Sequence, residues 1–337
     1  MNPPALVVLG AGAWGTALAA VLADRGRHVA LWGRDPAAVR ELALTHENRG
    51  YLPGVRLPDG IQAVESLGLI PASCTTAVVA TPCQTTRDIA RRLRREAPQV
   101  QAVVCAAKGL ELATGRFVHE VVREEYGAGV DVAVLSGPNF AREVAEGRPA
   151  AVTIAASREA YGRALLAHFH TSRFRPYLTD DLLGVAVGGS VKNVLAIAAG
   201  VGDGLGLGAN SRAALITRGL AEIARLGVAL GARAETFMGL SGLGDLVLTC
   251  TDDQSRNRRF GIALGKGAAL AEAQARIGLV EGAATALAVA ALAGRLGVEM
   301  PIVQEVARML RGDSTPEAAV AALMSREPRA EDGAWRD

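Results

Sequence analysis

Lysine is scarce in this chain: of 36 basic residues only Lys108, Lys192 and Lys266 are lysine, and the rest are arginine. A bias of that size reflects coding composition and carries no function by itself, yet it marks the few positions where a lysine persists. Aromatic residues make up 4% of the 337 residues, so the core must be built from aliphatic side chains and alanine. Neither charge is in surplus. The 36 basic and 34 acidic residues give a net charge of +2, so no nucleic-acid partner is expected. The four cysteines (Cys74, Cys83, Cys105 and Cys250) form no C-x-x-C pair and no zinc-type spacing, so no metal is expected. Scattered within apolar runs, they read as buried thiols of a reducing compartment, and a cytoplasmic location is expected. The opening MNPPALVVLGAG has no basic segment ahead of its short apolar run and does not read as a signal peptide.

What is present is a globular composition, half hydrophobic and 21% charged, long enough for about two domains. Strand-like runs at 5–9, 28–32, 76–81, 100–106, 131–136 and 150–155 alternate with helical or turn-rich segments, including a helix over 14–25 and one opening at Asp35-Pro36. That alternation predicts an α/β domain over residues 1–178, a Rossmann-type doubly wound parallel sheet. Long alanine- and leucine-rich segments follow at 181–201, 211–230, 281–296, 301–310 and 315–324. They predict an all-helical domain over 179–326, with a polar tail at 327–337. Residues 182–201 are long enough to span a membrane. Lys192 and Asn193 sit mid-run, however, where a charge in lipid is costly, so a buried helix is the better reading and no span is expected.

Gly10-Ala11-Gly12-Ala13-Trp14-Gly15 fits G-x-G-x-x-G between a strand and a helix. Gly10 permits the tight turn, Gly12 lets backbone approach a pyrophosphate, Gly15 lets helix and strand pack, and the helix N-terminus offers free N–H groups. A dinucleotide cofactor is expected. The second strand ends at Gly33-Arg34-Asp35; an arginine there pairs with a 2′-phosphate and favours NADP over NAD. Asp35 reads either as the ribose ligand of an NAD enzyme or as a helix cap.

Hydride transfer to a ketone needs a proton donor. His28, His46, His119, His168 and His170 lie outside the glycine-rich second half and read as structural or solvated. Lys192 is better placed, in an apolar helix after Gly188-Gly189, because burial lowers a lysine's pKa toward the useful range and arginine cannot follow. Lys108 follows a strand, at the end of an open sheet where ligands bind; Lys266 reads as a solvated loop residue. Ser255-Arg256-Asn257-Arg258-Arg259 opens a helix and reads equally as a phosphate grip or a solvated basic face. Asp245 reads as a ligand for a substrate hydroxyl, a partner of Lys192 or a helix cap, and Asp203 as a loop residue.

The stretches GAGAWGTALA, LWGRD, AAKGLE, SGPNFAREVAEG, GGSVKNVLAIAAGVGDGLGLGANSRAALITRGLAE, GLGDLVLTCTDDQSRNRRFG and VEG together resemble the NAD(P)-dependent glycerol-3-phosphate dehydrogenases of the bacterial biosynthetic type. The resemblance implies interconversion of sn-glycerol 3-phosphate and dihydroxyacetone phosphate, feeding phospholipid synthesis. It implies Lys192 as the acid–base group and Lys108 as a contact of substrate and cofactor. By the same likeness Asp245, Ser255, Arg256 and Asn257 bind substrate, while Gly137, Asn139 and Ala141 lie beside substrate and cofactor. Ala13, Trp14, Arg34, Arg256, Leu279 and Glu281 fall on cofactor positions. The chain departs from the family at Ala80-Thr81-Pro82-Cys83, where Val-Pro-Ser is commoner, and at Asn139, where threonine or serine is common. It is also one residue short before Val280-Glu281. The expected partners are the small-molecule substrate and a second copy of the chain, as a homodimer. Two rival readings are a hydroxyacid or sugar-acid dehydrogenase of similar build, which wants a carboxylate clamp, and a non-catalytic NADPH-sensing protein, which needs no buried lysine.

Overall fold

The computed structural model describes residues 5–127 and 129–327. The expected polar tail lies, beyond Glu327, outside the described residues. Eight strands form one sheet: β1 (Leu6–Leu9), β2 (Val29–Trp32), β3 (Ile61–Val64), β4 (Thr76–Val79), β5 (Ala102–Cys105), β6 (Asp131–Ser136), β7 (Ala150–Ala156) and β8 (Phe174–Thr179). Their order is β3-β2-β1-β4-β5-β6-β7-β8. Helices α1 (Ala13–Leu22), α2 (Pro36–Thr45), α3 (Thr86–Glu96), α4 (Val118–Tyr126), α5 (Ala141–Ala145) and α6 (Glu159–Phe169) connect them. β1 and β2 are buried at every residue. Helices cover both faces of such a sheet, so its inner strands are apolar throughout rather than alternating.

Two of the eight strands, β3 and β8, lie outside the six strand-like runs. β3 escapes the reading because it is an edge strand of four residues with only Ile61 and Val64 buried, a spacing without period 2. The sheet is also not wholly parallel, since β7 runs antiparallel to β6. The only helix between them, α5, has five residues, too short for the crossover that a parallel return requires.

The rest of the described chain is helical: α7 (Leu182–Gly204), α8 (Gly208–Ala229), α9 (Asp245–Thr251), α10 (Arg256–Gly265), α11 (Leu270–Ile277), α12 (Glu281–Leu296), α13 (Pro301–Arg311) and α14 (Pro316–Met324). α7 is the one described helix long and apolar enough to cross a membrane, and most of it is buried inside the fold. Its apolar residues join the same core as one face of the sheet, with Val187, Val191 and Val194 alongside Val103, Val132 and Val134. Close backbone approach fixes α7 against α10. A Cβ on Gly200 would lie 2.0 Å from the Arg258 carbonyl oxygen, and one on Gly261 would lie 2.1 Å from that of Ile197. Strand order reverses at β1, between β2 and β4, which opens a crevice at the carboxyl ends of β1 and β4.

Candidate active site

The glycine-rich turn lies at that crevice. Gly10 adopts φ +113, and a Cβ there would lie 2.9 Å from the Ala80 carbonyl oxygen at the end of β4. A Cβ on Gly15 would collide with the Gly10 carbonyl oxygen at 1.8 Å, whereas one on Gly12 meets nothing within 4 Å. Gly12 is thus an open approach to the N-terminus of α1, which has no side-chain cap and begins with Ala13 and Trp14. Two buried polar groups beside it, the Thr81 hydroxyl and the Trp14 indole nitrogen, have no partner among the described residues. An open cradle, free helix N–H groups and two unpartnered polar groups fit a dinucleotide pyrophosphate. Arg34, exposed just past β2, makes no ion pair among the described residues. Asp35 caps α2, accepting from Ala37 N at 2.9 Å and Ala38 N at 3.4 Å.

A second constellation forms where α7 crosses the end of β6. A Cβ on Gly188 would lie 2.6 Å from the Ser241 carbonyl oxygen, and one on Gly189 would lie 2.5 Å from Ser136 Oγ. The glycine pair therefore lets α7 settle against the π-helical turn at 240–244 that leads into Asp245. One turn further on, Lys192 is 6% exposed. Its ammonium pairs with Asp245 Oδ1 and reaches Thr249 Oγ1 at 2.6 Å. Lys108 Nζ lies 2.7 Å from the other carboxylate oxygen, to which Ser136 Oγ donates at 3.4 Å. Burial lowers the Lys192 amine to about 8; the Asp245 charge opposes that shift, and the Lys108 charge reinforces it. Asp245 is thus a fully buried carboxylate shared by two lysines. Ser190 Oγ accepts from Gly109 N at 2.9 Å and ties the Lys108 loop to α7. Glu281, first residue of α12, accepts from the Cys83 N–H and faces the charges of Arg256, Lys108 and Lys192; burial nonetheless raises its carboxyl.

The α7–α10 contact carries the third element. Asn257 donates to Asn193 Oδ1 at 3.0 Å and accepts from Gly282 N at 3.0 Å, so α7, α10 and α12 meet at its amide. Ser255 is buried and caps α10, accepting from Arg258 N at 3.2 Å, while Arg256 is exposed. Arg258 points elsewhere: its Nε and Nη2 grip Asp203 Oδ2 at 2.9 and 2.6 Å. Asp203 is therefore not a loop residue but part of the last turn of α7, and it is held by two arginines, Arg258 on Oδ2 and Arg212 on Oδ1 at 2.7 Å.

Gly137 packs against β7, where a Cβ would lie 3.0 Å from Val152 Cα. Asn139 Nδ2 donates to the Ala151 carbonyl at 2.9 Å, while its Oδ1 is buried without a partner. Ala141 begins α5. This loop adjoins the lysine centre, because a Cβ on Gly244 would lie 3.6 Å from Pro138 Cγ. Leu279 is half-exposed. Lys266 is exposed at the end of α10, and His119 is buried with its pKa lowered to about 4 by desolvation. Sequence reasoning missed Thr249, Ser136, Ser190 and Thr81. Of these only Thr249 left a signal, four residues after Asp245 and hence on the same helical face.

Residues 5–162 match the family described as NAD-dependent glycerol-3-phosphate dehydrogenase N-terminus, and residues 181–321 match the corresponding C-terminus. The chain is 51% identical over 334 residues to the glycerol-3-phosphate dehydrogenase [NAD(P)+] of Thioalkalivibrio sulfidiphilus, covering 98% of this chain and 100% of that protein. It is 50% identical over 327 residues to the protein of the same name from Halorhodospira halophila, covering 97% and 98%. The crystal structure of the Coxiella burnetii glycerol-3-phosphate dehydrogenase superposes with a TM-score of 0.91 at 44% identity, covering 96% of this chain and 99% of that one. The two family halves meet in the sheet-and-helix architecture described above, and the chain belongs to the NAD-dependent glycerol-3-phosphate dehydrogenase family.

Proposed function

We propose that the chain interconverts dihydroxyacetone phosphate and sn-glycerol 3-phosphate, with NADP preferred over NAD, in the cytoplasm and as a homodimer, supplying glycerol 3-phosphate for phospholipid synthesis. The observation that carries the reaction is the buried Lys192–Asp245–Lys108 centre beside a dinucleotide cradle. Bound nicotinamide supplies or accepts the hydride. In the direction of reduction, Lys192 gives its proton to the carbonyl oxygen as hydride reaches the carbon, and Asp245 holds the ammonium in place. Lys108 adds positive charge where the oxygen turns negative. Arg256 and Asn257 hold the phosphate, Asn257 with the donor hydrogen that Asn193 leaves free, and Ser255 supports them by capping α10. The cofactor rests on Gly10, Gly12, Ala13, Trp14 and Gly15, with Ala141, Leu279 and Glu281 lining its nicotinamide end. The NADP preference is supported by Arg34, exposed and without an ion pair among the described residues, and by Asp35, whose carboxylate is engaged as a cap.

The test follows NADPH and NADH absorbance after dihydroxyacetone phosphate is added. Ketone-dependent oxidation, faster with NADPH at low cofactor, is expected. Arg34→Ala should raise the KM for NADPH about tenfold, the order expected of one charge-assisted contact to phosphate, and leave NADH unchanged. A protein that oxidises neither cofactor with this ketone sinks the proposal.

A further inference from the structure

The dinucleotide reading leaves open what holds the glycine-rich turn in shape. Backbone bonds tie it at two points, Gly10 N to the Trp32 carbonyl and Thr16 N to the Gly12 carbonyl, each at 2.9 Å, but neither reaches the Ala11 carbonyl, which lies ahead of α1. Its donor comes from far along the chain. Asn48, in the connection between α2 and β3, is 8% exposed and sends its Nδ2 to the Ala11 carbonyl oxygen at 2.9 Å and to Thr16 Oγ1 at 2.7 Å. Both amide hydrogens are thereby used on the turn.

The geometry of the peptide unit gives this contact a consequence. In a planar trans peptide the C=O and the following N–H point in opposite directions. A hydrogen bond that holds the Ala11 oxygen toward Asn48 therefore aims the Gly12 N–H the other way. The loop behind Asn48 is anchored on its own account. Leu52 N and Leu57 N donate to the Asn48 and His46 carbonyls at 2.7 and 2.8 Å, and both leucine side chains are buried. The same loop is also tied to α5, where Arg142, next to Ala141, donates to the Pro53 carbonyl at 3.2 Å.

We propose that Asn48 is a positioning residue for the cofactor, fixing the 11–12 peptide so that the Gly12 N–H meets the pyrophosphate. The assignment rests on the dinucleotide reading above and adds a residue to it. The test is calorimetric binding of NADPH, ADP-ribose and adenosine 2′-monophosphate to the parent protein and to Asn48→Ala. ADP-ribose keeps the pyrophosphate and adenosine 2′-monophosphate lacks it. Loss of one buried hydrogen-bonding group predicts a Kd about tenfold weaker for NADPH and ADP-ribose. Adenosine 2′-monophosphate should bind as before, and kcat at saturating NADPH should be unchanged. Should Asn48→Ala fail to fold, Asn48→Asp carries the same test, since it keeps the side-chain size and puts an oxygen against the Ala11 carbonyl. Equal weakening of all three ligands, or unchanged NADPH binding, overturns the assignment while the dinucleotide reading stands. A parent protein that binds none of the three overturns both.

Discussion

Replacing Lys192 by methionine should separate chemistry from folding. At pH 7 the amine is charged, although the fold holds its pKa at about 8 against an ordinary 10.5. Keeping that charge buried therefore costs about 3 kcal/mol relative to water. Methionine fills similar volume without the charge and removes that cost. Against it stand Asp245 Oδ1 and the Thr249 hydroxyl, which lose a donor, at about 1–3 kcal/mol. The carboxylate is not abandoned, because Lys108 still lies 2.7 Å from its other oxygen. The opposing terms nearly cancel, so the variant should melt within a few degrees of the parent or above it. Catalysis has no such compensation, and loss of a positioned general acid lowers kcat by about 10²- to 10⁴-fold. The measurements are the melting temperature without ligands and NADPH oxidation at saturating dihydroxyacetone phosphate. A kcat within tenfold of the parent would refute the role of Lys192. A melting temperature lowered by more than about 10 °C would refute the claim that its charge is held at a cost.

The same lysine sets the pH dependence. Reduction needs the protonated amine and should decline as pH rises through about 8, whereas oxidation of glycerol 3-phosphate needs the neutral amine and should climb over the same range; parallel profiles in the two directions would contradict the assignment. Gly261→Ala puts a Cβ 2.1 Å from the Ile197 carbonyl, backbone against backbone. It should cost about 2–3 kcal/mol in urea denaturation and raise the KM for dihydroxyacetone phosphate. Gly294→Ala in α12, with no atom within 4 Å of the new Cβ, should instead gain about 0.5–1 kcal/mol in the same denaturation experiment.

Local signals in the sequence led to much of this arrangement. The glycine turn, the inner strands and the helix around Lys192 are legible because each is specified by a short stretch: a steric requirement, an apolar run, or a charge stranded in one. Asp35 reads from sequence as a ribose ligand or a cap, and the bonds from Ala37 N and Ala38 N make it a cap. Features that depend on distant partners were not legible. Asp203 reads as a loop residue among glycines until Arg258, 55 positions away, and Arg212 on α8 are seen to hold it. Asn48 sits in a stretch with no periodicity, and its meaning lies in a carbonyl 37 residues upstream. Ser136 ends β6 and Thr81 lies just past β4, as many polar residues do, and only the crevice gives them a role. β3 is a short edge strand whose burial comes from β2 rather than from its own pattern.

The glycines between α7 and α10 bear on how such a chain can vary. Gly200 and Gly204 of one helix meet Gly261 and Gly265 of the other, so at these points the helices touch by main chain, which cannot re-pack as side chains can. One inserted residue between Lys192 and Gly204 would turn everything beyond it by about 100° about the helix axis. Asn193 would then stay with the lysine while the surface that receives α10 swung away, taking Asn257 with it. Length is therefore fixed by geometry across this span, and insertions are tolerated only in the outer loops. For anyone grafting a new substrate onto this scaffold, the distance between proton donor and phosphate grip is a fixed gauge, and the freedom lies in what surrounds it.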